Sequence, residues 1–222
     1  MNDRMILAID TSFGPVSAAL ATSAGQIIAG FEADNPPGTQ AETLPPRVAE
    51  MFASAGVRFE QLARIAVTVG PGAFTGVRVG LAFAKGLRLA TGAAILGFTT
   101  LECLGAQAAI ANPGCSVVVA IDAKRGEVYV QVFDNALAPM TQAELLPLKT
   151  AEDVVRRALK GPSVITGSGA GLLSLALHGQ PKIEFIPRID AKLLARRAAD
   201  ADPARHPATA AYLRAPDAKL PS

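Results

Sequence analysis

The residues best suited to chemistry near the start of the chain are Asp10, Thr11 and Ser12, which follow an apolar run and precede Gly14. Short side chains and a nearby glycine let backbone amides approach a phosphate, and an acidic residue there can work with a nucleotide and its metal ion. Asp and Ser also favour turns because they bond to their own backbone. Two interpretations therefore stay open, a nucleotide-proximal site and a purely structural turn.

A glycine-rich segment, Gly70 to Arg78, joins an apolar run to a helical pattern, the place where helix-terminal amides can hold an anion. It matches neither nucleotide-binding fingerprint. Thr75 stands where a Walker loop needs its second glycine, and the glycine spacing is wrong for a dinucleotide-binding turn. We predict instead that Thr75 caps the following helix, and that the Gly-Pro-Gly turn sets the entry of the chain into it.

The helix predicted over Gly76 to Ala90 has small residues at every fourth position, namely Gly76, Gly80 and Ala84. Apolar side chains cover much of its remaining surface, so the helix needs burial on more than one side. One side would be its own sheet. The other is either a second subunit or the neighbouring helix predicted over Glu42 to Ala55.

The sequence offers few residues for metal or nucleophilic catalysis. His178 and His206 are the only histidines and do not form a metal-binding pair, and Cys103 and Cys115 lack a C-x-x-C spacing. Both histidines are expected to be ordinary exposed residues, so neither serves as the base of a Ser-His-Asp triad. We therefore expect no catalytic residue, no metal site and no disulfide framework, and a reducing cytoplasm as the compartment.

The elements that would position these residues occur twice. Ala8 to Asp10 recurs 112 residues later as Ala120 to Asp122, and Gly14 and Val16 have identical counterparts at the same offset. Both copies read as a strand, a polar turn with glycine, and a second strand. The repeat indicates an internal duplication, with two unrelated hairpins as the alternative.

Each copy continues with alternating helices and strands after its hairpin. This order predicts an α/β protein with mixed sheets flanked by helices. Doubled, it is the tandem ribonuclease-H-like arrangement of the actin, sugar-kinase and heat-shock-chaperone superfamily. We place the domain boundary at the Asn112-Pro113-Gly114 turn, which gives an N-terminal domain over 1–111 and a C-terminal domain over 112–222.

Composition excludes several classes of protein. The chain has 222 residues, 50% hydrophobic and 18% charged, with a net charge of +2. That charge does not by itself indicate a binder of nucleic acid. The longest uncharged stretches are interrupted by turn residues, so we predict no transmembrane helix, and the N-terminal apolar run is too short for a secretory signal.

Three segments together carry a resemblance to a known family. These are Ile6 to Ser12, Val67 to Gly80 and Ile121 to Tyr129, and Tyr212-Leu213-Arg214 resembles the same family's closing motif. They closely resemble the TsaB family of bacterial tRNA threonylcarbamoyladenosine biosynthesis proteins, which is glycoprotease-like. The resemblance covers nearly the whole chain.

This resemblance implies a non-catalytic subunit that binds and activates a catalytic paralogue, the TsaD-type transferase, and works with a TsaE-type ATPase. The complex modifies adenosine 37 of tRNA, and the two first helices would form the pairing surface. The implied interface residues are Gly76, Val77, Gly80, Leu81, Ala84, Leu44 and Val48. We expect no intrinsic cofactor, with ATP or ADP relevant at the level of the complex, and the same face could join two copies into a homodimer.

Two other functions stay open. One is a nucleotide-dependent phosphotransferase or ATPase that uses Asp10 as its metal-linked acid. The other is direct contact with tRNA through positive charges of the C-terminal half, although solvated helix faces explain most such charges. These residues are Lys149, Arg156, Arg157, Lys160, Lys182, Arg188, Lys192, Arg196, Arg197, Arg205, Arg214 and Lys219.

Overall fold

A computed structural model describes residues 4–34, 36, 38–177 and 181–214. His178 and Lys219 lie outside the described residues. The first half contains β1 (Met5–Asp10), β2 (Val16–Thr22), β3 (Ile27–Ala33), α1 (Gln40–Ala55), β4 (Leu62–Thr68), α2 (Phe74–Thr91), β5 (Ala94–Phe98) and α3 (Thr100–Ala111). The second half contains β6 (Ser116–Lys124), β7 (Glu127–Phe133), β8 (Glu144–Pro147), α4 (Leu148–Ala158), β9 (Ser163–Thr166), α5 (Ala170–Ala176), β10 (Lys182–Ile183) and α6 (Ala191–Asp200).

The two halves have the same sheet topology. The first sheet has the order β3-β2-β1-β4-β5, and the second has the order β8-β7-β6-β9-β10. In each, the first three strands form an antiparallel meander and the last two run parallel to the first. Helices alternate with strands in the same positions. The duplication and the predicted tandem ribonuclease-H-like fold class are confirmed.

Buried side chains form three clusters in successive layers. Alternate residues of the first sheet pack against α1 and α2, and alternate residues of the second sheet pack against α4 and α5. The inner faces of both sheets form a central core with α3 and α6. This layering follows from the strand period of two, because each sheet buries side chains on both faces.

The last helix of each half packs mainly on the sheet of the other half. α3 contacts β6, β7 and β9, whereas α6 contacts β1 to β4. The Arg64 guanidinium stabilises the packing of α6 on the first sheet, because it donates at 2.7 Å to the carbonyl oxygens of Ala198 and Ala201 at the end of α6. The boundary between residues 111 and 112 stays a prediction, and the two halves share one core across it.

Helix starts differ from the sequence prediction. α1 begins at Gln40, and Pro45 and Pro46 lie within it on its exposed side. α2 begins at Phe74, so the prediction that Thr75 caps this helix is wrong. The reason is that the Ala73 carbonyl already accepts the first helical bond, from the Val77 N–H at 2.9 Å.

The C-terminal segment, residues 206–214, crosses from the first half to the second. His206 accepts a bond from the Gly97 N–H at 2.9 Å and stacks its ring on Phe98 at 4.4 Å between centroids. The prediction that His206 is simply exposed is therefore wrong. At the far end, Arg214 donates to the Ala123 carbonyl and to the Glu127 carboxylate, at 3.1 and 2.6 Å. Among the described residues, none of the helices is long and apolar enough to cross a membrane.

Candidate functional site at the first turn and the outer helices

Asp10 ends β1 and is completely buried. Its Oδ1 accepts bonds from the Thr68 hydroxyl at 2.6 Å, the Ser12 N–H at 2.9 Å and the Ser12 hydroxyl at 2.7 Å. The Ser12 Oγ also lies 2.9 Å from the Thr100 Oγ1. One carboxylate oxygen therefore ties together the ends of β1 and β4, the turn after β1 and the start of α3.

Burial dominates the electrostatics of this carboxyl. Desolvation raises the pKa of Asp10 above its usual value, and the hydrogen bonds from Thr68 and Ser12 oppose that rise without cancelling it. The second oxygen, Oδ2, has no hydrogen-bond partner among the described residues. Asp10 consequently holds its proton to a higher pH than an exposed aspartate does.

The start of α2 closes the turn after β1. A Cβ on Gly76 would overlap the Thr11 carbonyl, and a Cβ on Gly72 would overlap the Ser12 carbonyl. The Thr11 hydroxyl donates to the Gly76 carbonyl at 2.6 Å. Only glycine permits this approach, because any side chain would occupy the space of the opposing backbone. The glycines of this segment therefore pack the turn against the helix.

The residues predicted to lie near a nucleotide, Asp10, Thr11 and Ser12, are together as expected but exposed by no more than 1%. The Ser12 amide, one of the backbone amides expected to approach a phosphate, donates instead to the Asp10 carboxylate. This arrangement favours the structural interpretation of the turn. A role near a nucleotide stays a prediction.

The predicted interface residues need correction. Gly76, Val77, Gly80, Leu81, Ala84, Leu44 and Val48 are all buried by this chain's own residues. The small-residue face of α2 lies against the turn after β1 and against β4, and a Cβ on Gly80 would stand 2.6 Å from the Thr11 hydroxyl oxygen. A partner therefore cannot touch these side chains in this structure. Pairing through the same two helices stays a prediction, on their outward faces.

The outward faces of α1 and α2, together called the outer-helix surface, consist largely of small residues. Its exposed members are Glu42, Pro46, Ala49, Ala53, Arg78, Ala82, Gly86 and Leu89. Sequence reasoning missed this surface because it assigned the smallest residues to the contact. The sequence does contain an indication of this surface. Ala49 and Ala53 lie four residues apart on α1, and Ala82 and Gly86 lie four apart on α2, so each pair shares one helix face.

An aromatic and cationic cluster stands at the start of α2. The Arg78 guanidinium lies 3.6 Å from the Phe74 ring centroid and donates through Nε to the Tyr212 hydroxyl at 3.1 Å. Phe74 and Tyr212 remain about half exposed, at 55% and 53%. The resemblance pointed to Tyr212, whereas Phe74 was not singled out. The cluster fixes the C-terminal segment to the edge of the outer-helix surface.

The second copy of the turn is built differently. Asp122, the counterpart of Asp10, accepts bonds from the Lys124 N–H at 2.8 Å and the Lys124 ammonium at 2.6 Å. Those bonds lower the pKa of Asp122. Its own N–H donates to the Ser168 hydroxyl at 3.1 Å. Duplicated positions thus hold a buried aspartate with a raised pKa in one half and a partly exposed ion pair in the other.

The positive residues suggested for tRNA contact divide into two groups. Several bind groups of this chain: Arg156 pairs with Glu152, Arg188 with Glu32, Arg197 with Glu102 and Arg214 with Glu127, and Arg157 donates to the Asp153 carbonyl. Others are exposed, namely Lys149, Lys160, Lys182, Lys192, Arg196 and Arg205. Within the described residues, no group of three or more His, Cys, Asp or Glu could hold a metal ion. Direct contact with tRNA stays a prediction.

The duplicated topology and the aspartate turn define an actin-like, ribonuclease-H-related protein. The family model described as "TsaD: tRNA N6-adenosine threonylcarbamoyltransferase" matches residues 39–161. A TsaB of Escherichia coli K12, the "tRNA threonylcarbamoyladenosine biosynthesis protein TsaB", is 34% identical over 169 residues, which cover 74% of this chain and 71% of that protein.

Two solved structures share the fold. A Pseudomonas aeruginosa protein described as similar to the peptidase YeaZ superposes with a TM-score of 0.73 at 25% identity, over 95% of this chain and all of that one. YeaZ from Pseudomonas aeruginosa gives a TM-score of 0.69 at 24% identity, over 87% and 91% of the two chains. The chain belongs to the TsaD family of tRNA threonylcarbamoyladenosine biosynthesis proteins, in the branch that contains TsaB.

Proposed function

We propose that this chain is a non-catalytic subunit of the complex that makes threonylcarbamoyladenosine at position 37 of tRNA. Its role is to bind and activate a TsaD-type transferase. The observation that carries this proposal is the closed turn after β1, where α2 packs onto Thr11 and the Ser12 amide bonds to Asp10. The position where related folds receive phosphate is filled here by the chain itself, whereas the outer-helix surface is open.

We infer the wider assembly from the resemblance to the TsaB family. A TsaE-type ATPase completes the complex, ATP or ADP acts at the level of the complex, and tRNA is the substrate of the assembly in the cytoplasm. When the transferase is absent, the same surface joins two copies of this chain. A phosphotransferase that uses Asp10 is the weaker candidate, because this carboxyl is completely buried and its Oδ1 already accepts three hydrogen bonds, which leaves only the buried Oδ2 without a partner among the described residues.

The outer-helix surface suits a partner that is itself helical. Ala49 and Ala53 on α1, and Ala82 and Gly86 on α2, leave little side chain between the helix backbones and solvent. Small residues allow two helices to approach closely, which increases the packing area of each contact. Arg78 at one end of this surface, and Tyr212 bonded to it, are of the residue types that dominate binding energy at interfaces.

Pairing is tested by Ala82→Arg, with Ala111→Arg as the matched control. Both alanines are exposed helical residues, and arginine is a good helix former, so neither change should unfold the chain. Complex formation with a TsaD-type transferase is measured by light scattering after size exclusion and by titration calorimetry. We expect Ala82→Arg to weaken pairing by at least about tenfold, as an interface clash costs more than about 1.4 kcal/mol.

The control should pair like the original chain. Equal affinity for Ala82→Arg and the unchanged chain would contradict the location of the interface. Hydrolysis of ATP by the isolated chain, abolished in Asp10→Ala, would contradict the non-catalytic role and favour the phosphotransferase.

A further inference from the structure

The outer edge of β5 is only partly covered. β5 is the last strand of its sheet, and the Gly97 N–H on the outer edge donates to the His206 carbonyl at 2.9 Å. The Phe98 carbonyl faces the inner edge, where it accepts from the Val69 N–H. Backbone groups alternate between the two edges of a strand, so the N–H and C=O of Ile95 share the outer edge with Gly97. Within the described residues, no backbone group pairs with Ile95 on that edge.

A groove of about 450 Å³ is lined in part by Ala94 and Ile95, and Ile95 as a whole residue is 8% exposed. Its lining combines two residues of β5, two cations of α2 and a wall of small or proline residues: Ala94, Ile95, Lys85, Arg88, Pro203, Ala204, Pro207 and Ala208. A proline has no backbone N–H, so the wall cannot donate to the Ile95 carbonyl through those residues. The groove therefore contains a strand edge whose backbone groups at Ile95 have no backbone hydrogen-bond partner among the described residues of either wall.

The charged side chains that line the groove are both positive. Lys85 and Arg88 are exposed, stand one helical turn apart, and take part in none of the salt bridges found among the described residues. Among the residues that the structure describes, no acidic side chain lines the groove. Two unpaired cations beside an open strand edge attract carboxylates and disfavour a basic segment.

We propose that this groove binds an extended acidic segment of a partner protein by strand addition. The segment pairs its backbone with the N–H and C=O of Ile95 and places carboxylates beside Lys85 and Arg88. A protein segment is favoured over RNA because none of the described residues that line the groove is aromatic and could stack on a base. This site does not depend on the proposed function, and the segment is a different contact from the outer-helix surface.

The test uses a fluorescein-labelled octapeptide of alternating Asp and Val, with a Lys and Val octapeptide and an octauridylate as comparison probes. Binding to the full chain is followed by fluorescence anisotropy. The double variant Lys85→Glu/Arg88→Glu reverses the charge of the groove, and Lys149→Glu/Lys160→Glu changes the same total charge at exposed positions of the second half. Nuclear magnetic resonance of the Ile95 amide reports pairing at the strand edge.

We expect saturable binding of the acidic peptide, a loss of at least about tenfold in the groove variant, no loss in the control variant, and slower exchange of the Ile95 amide proton. The proposal is overturned if the acidic peptide does not bind at about 1 mM, or if both variants bind it equally. Stronger binding of the lysine peptide also overturns it. Stronger binding of the octauridylate overturns it in favour of a nucleic-acid site.

Discussion

Asp10 illustrates how one buried side chain can organise a turn. Its Oδ1 accepts bonds from Thr68 and Ser12, which belong to different parts of the first half, and burial raises its pKa. The carboxyl is completely buried, so this structure does not present it at the surface to a metal ion. The sequence indicated a polar turn after β1. It could not show that α2 covers this turn, because that contact joins residues far apart in the chain.

The raised pKa predicts a pH dependence of stability. The folded chain holds the Asp10 proton more tightly than the unfolded chain, whose value is near 3.8. The contribution of Asp10 is therefore complete below that value and is lost as the pH rises through the folded pKa. Asp10→Asn keeps the shape and removes the titration. We expect the stability of the original chain to fall relative to Asp10→Asn as the pH rises above about 4 and through the raised pKa of the folded state.

Urea unfolding of both proteins across that range measures this difference. Subtracting the two curves removes the contributions of other titrating groups, including Asp122. A difference that is constant, or that grows in favour of the original chain as the pH rises, would refute the assignment of a raised pKa to Asp10.

At the scale of elements, α2 has one face buried within the chain and an opposite face exposed to solvent. Its glycine face packs against Thr11 and Val67, and its opposite face forms part of the outer-helix surface. The spacing of Gly76, Gly80 and Ala84 predicted a face packed against a second subunit or against α1, whereas the structure packs it against the turn after β1 and against β4. It could not tell which neighbour approaches, because helical periodicity identifies a face and not the element that covers it.

Two glycines on α2 provide a matched pair of substitutions. A methyl group at Gly76 would overlap the Thr11 carbonyl, whereas nothing lies within 4 Å of a Cβ at Gly86. We expect Gly76→Ala to reduce the free energy of unfolding by about 1–3 kcal/mol through overpacking. Gly86→Ala should raise it by up to about 1 kcal/mol, because alanine is the better helix former.

Thermal and urea unfolding of the two variants decide this prediction. If both variants are stabilised, the turn after β1 is not closed by α2. The basis of the proposed non-catalytic role would then be lost as well.

For the whole molecule, the exchange of the last helices makes the two halves depend on each other. α3 covers the second sheet and α6 covers the first, and both contribute to one central core. A few matched residues, such as Asp10 and Asp122, were enough to predict the duplicated topology. The exchange was not predictable, because α3 and α6 have apolar faces that would fit either sheet.

This dependence predicts the behaviour of fragments. Residues 1–111 expressed alone lose α6, and the inner face of their sheet, including Ile6 and Ala8, becomes exposed to water. We expect this fragment to lack a cooperative unfolding transition and to bind a hydrophobic dye, and mixing it with 112–222 should restore the transition. Calorimetry that finds a cooperative transition in 1–111 alone would contradict the shared core.

The role proposed for this chain is to dock onto the transferase, and a reconstituted reaction tests that role most directly. A TsaD-type transferase, a TsaE-type ATPase, tRNA, ATP and the threonylcarbamoyl donor are combined with this chain, without it, or with Ala82→Arg in its place, and modified adenosine 37 is measured. We predict modification with the chain, little without it or with Ala82→Arg, and none when the chain replaces the transferase. Modification by this chain in the absence of the transferase, or full activity when the chain is omitted, would contradict the account.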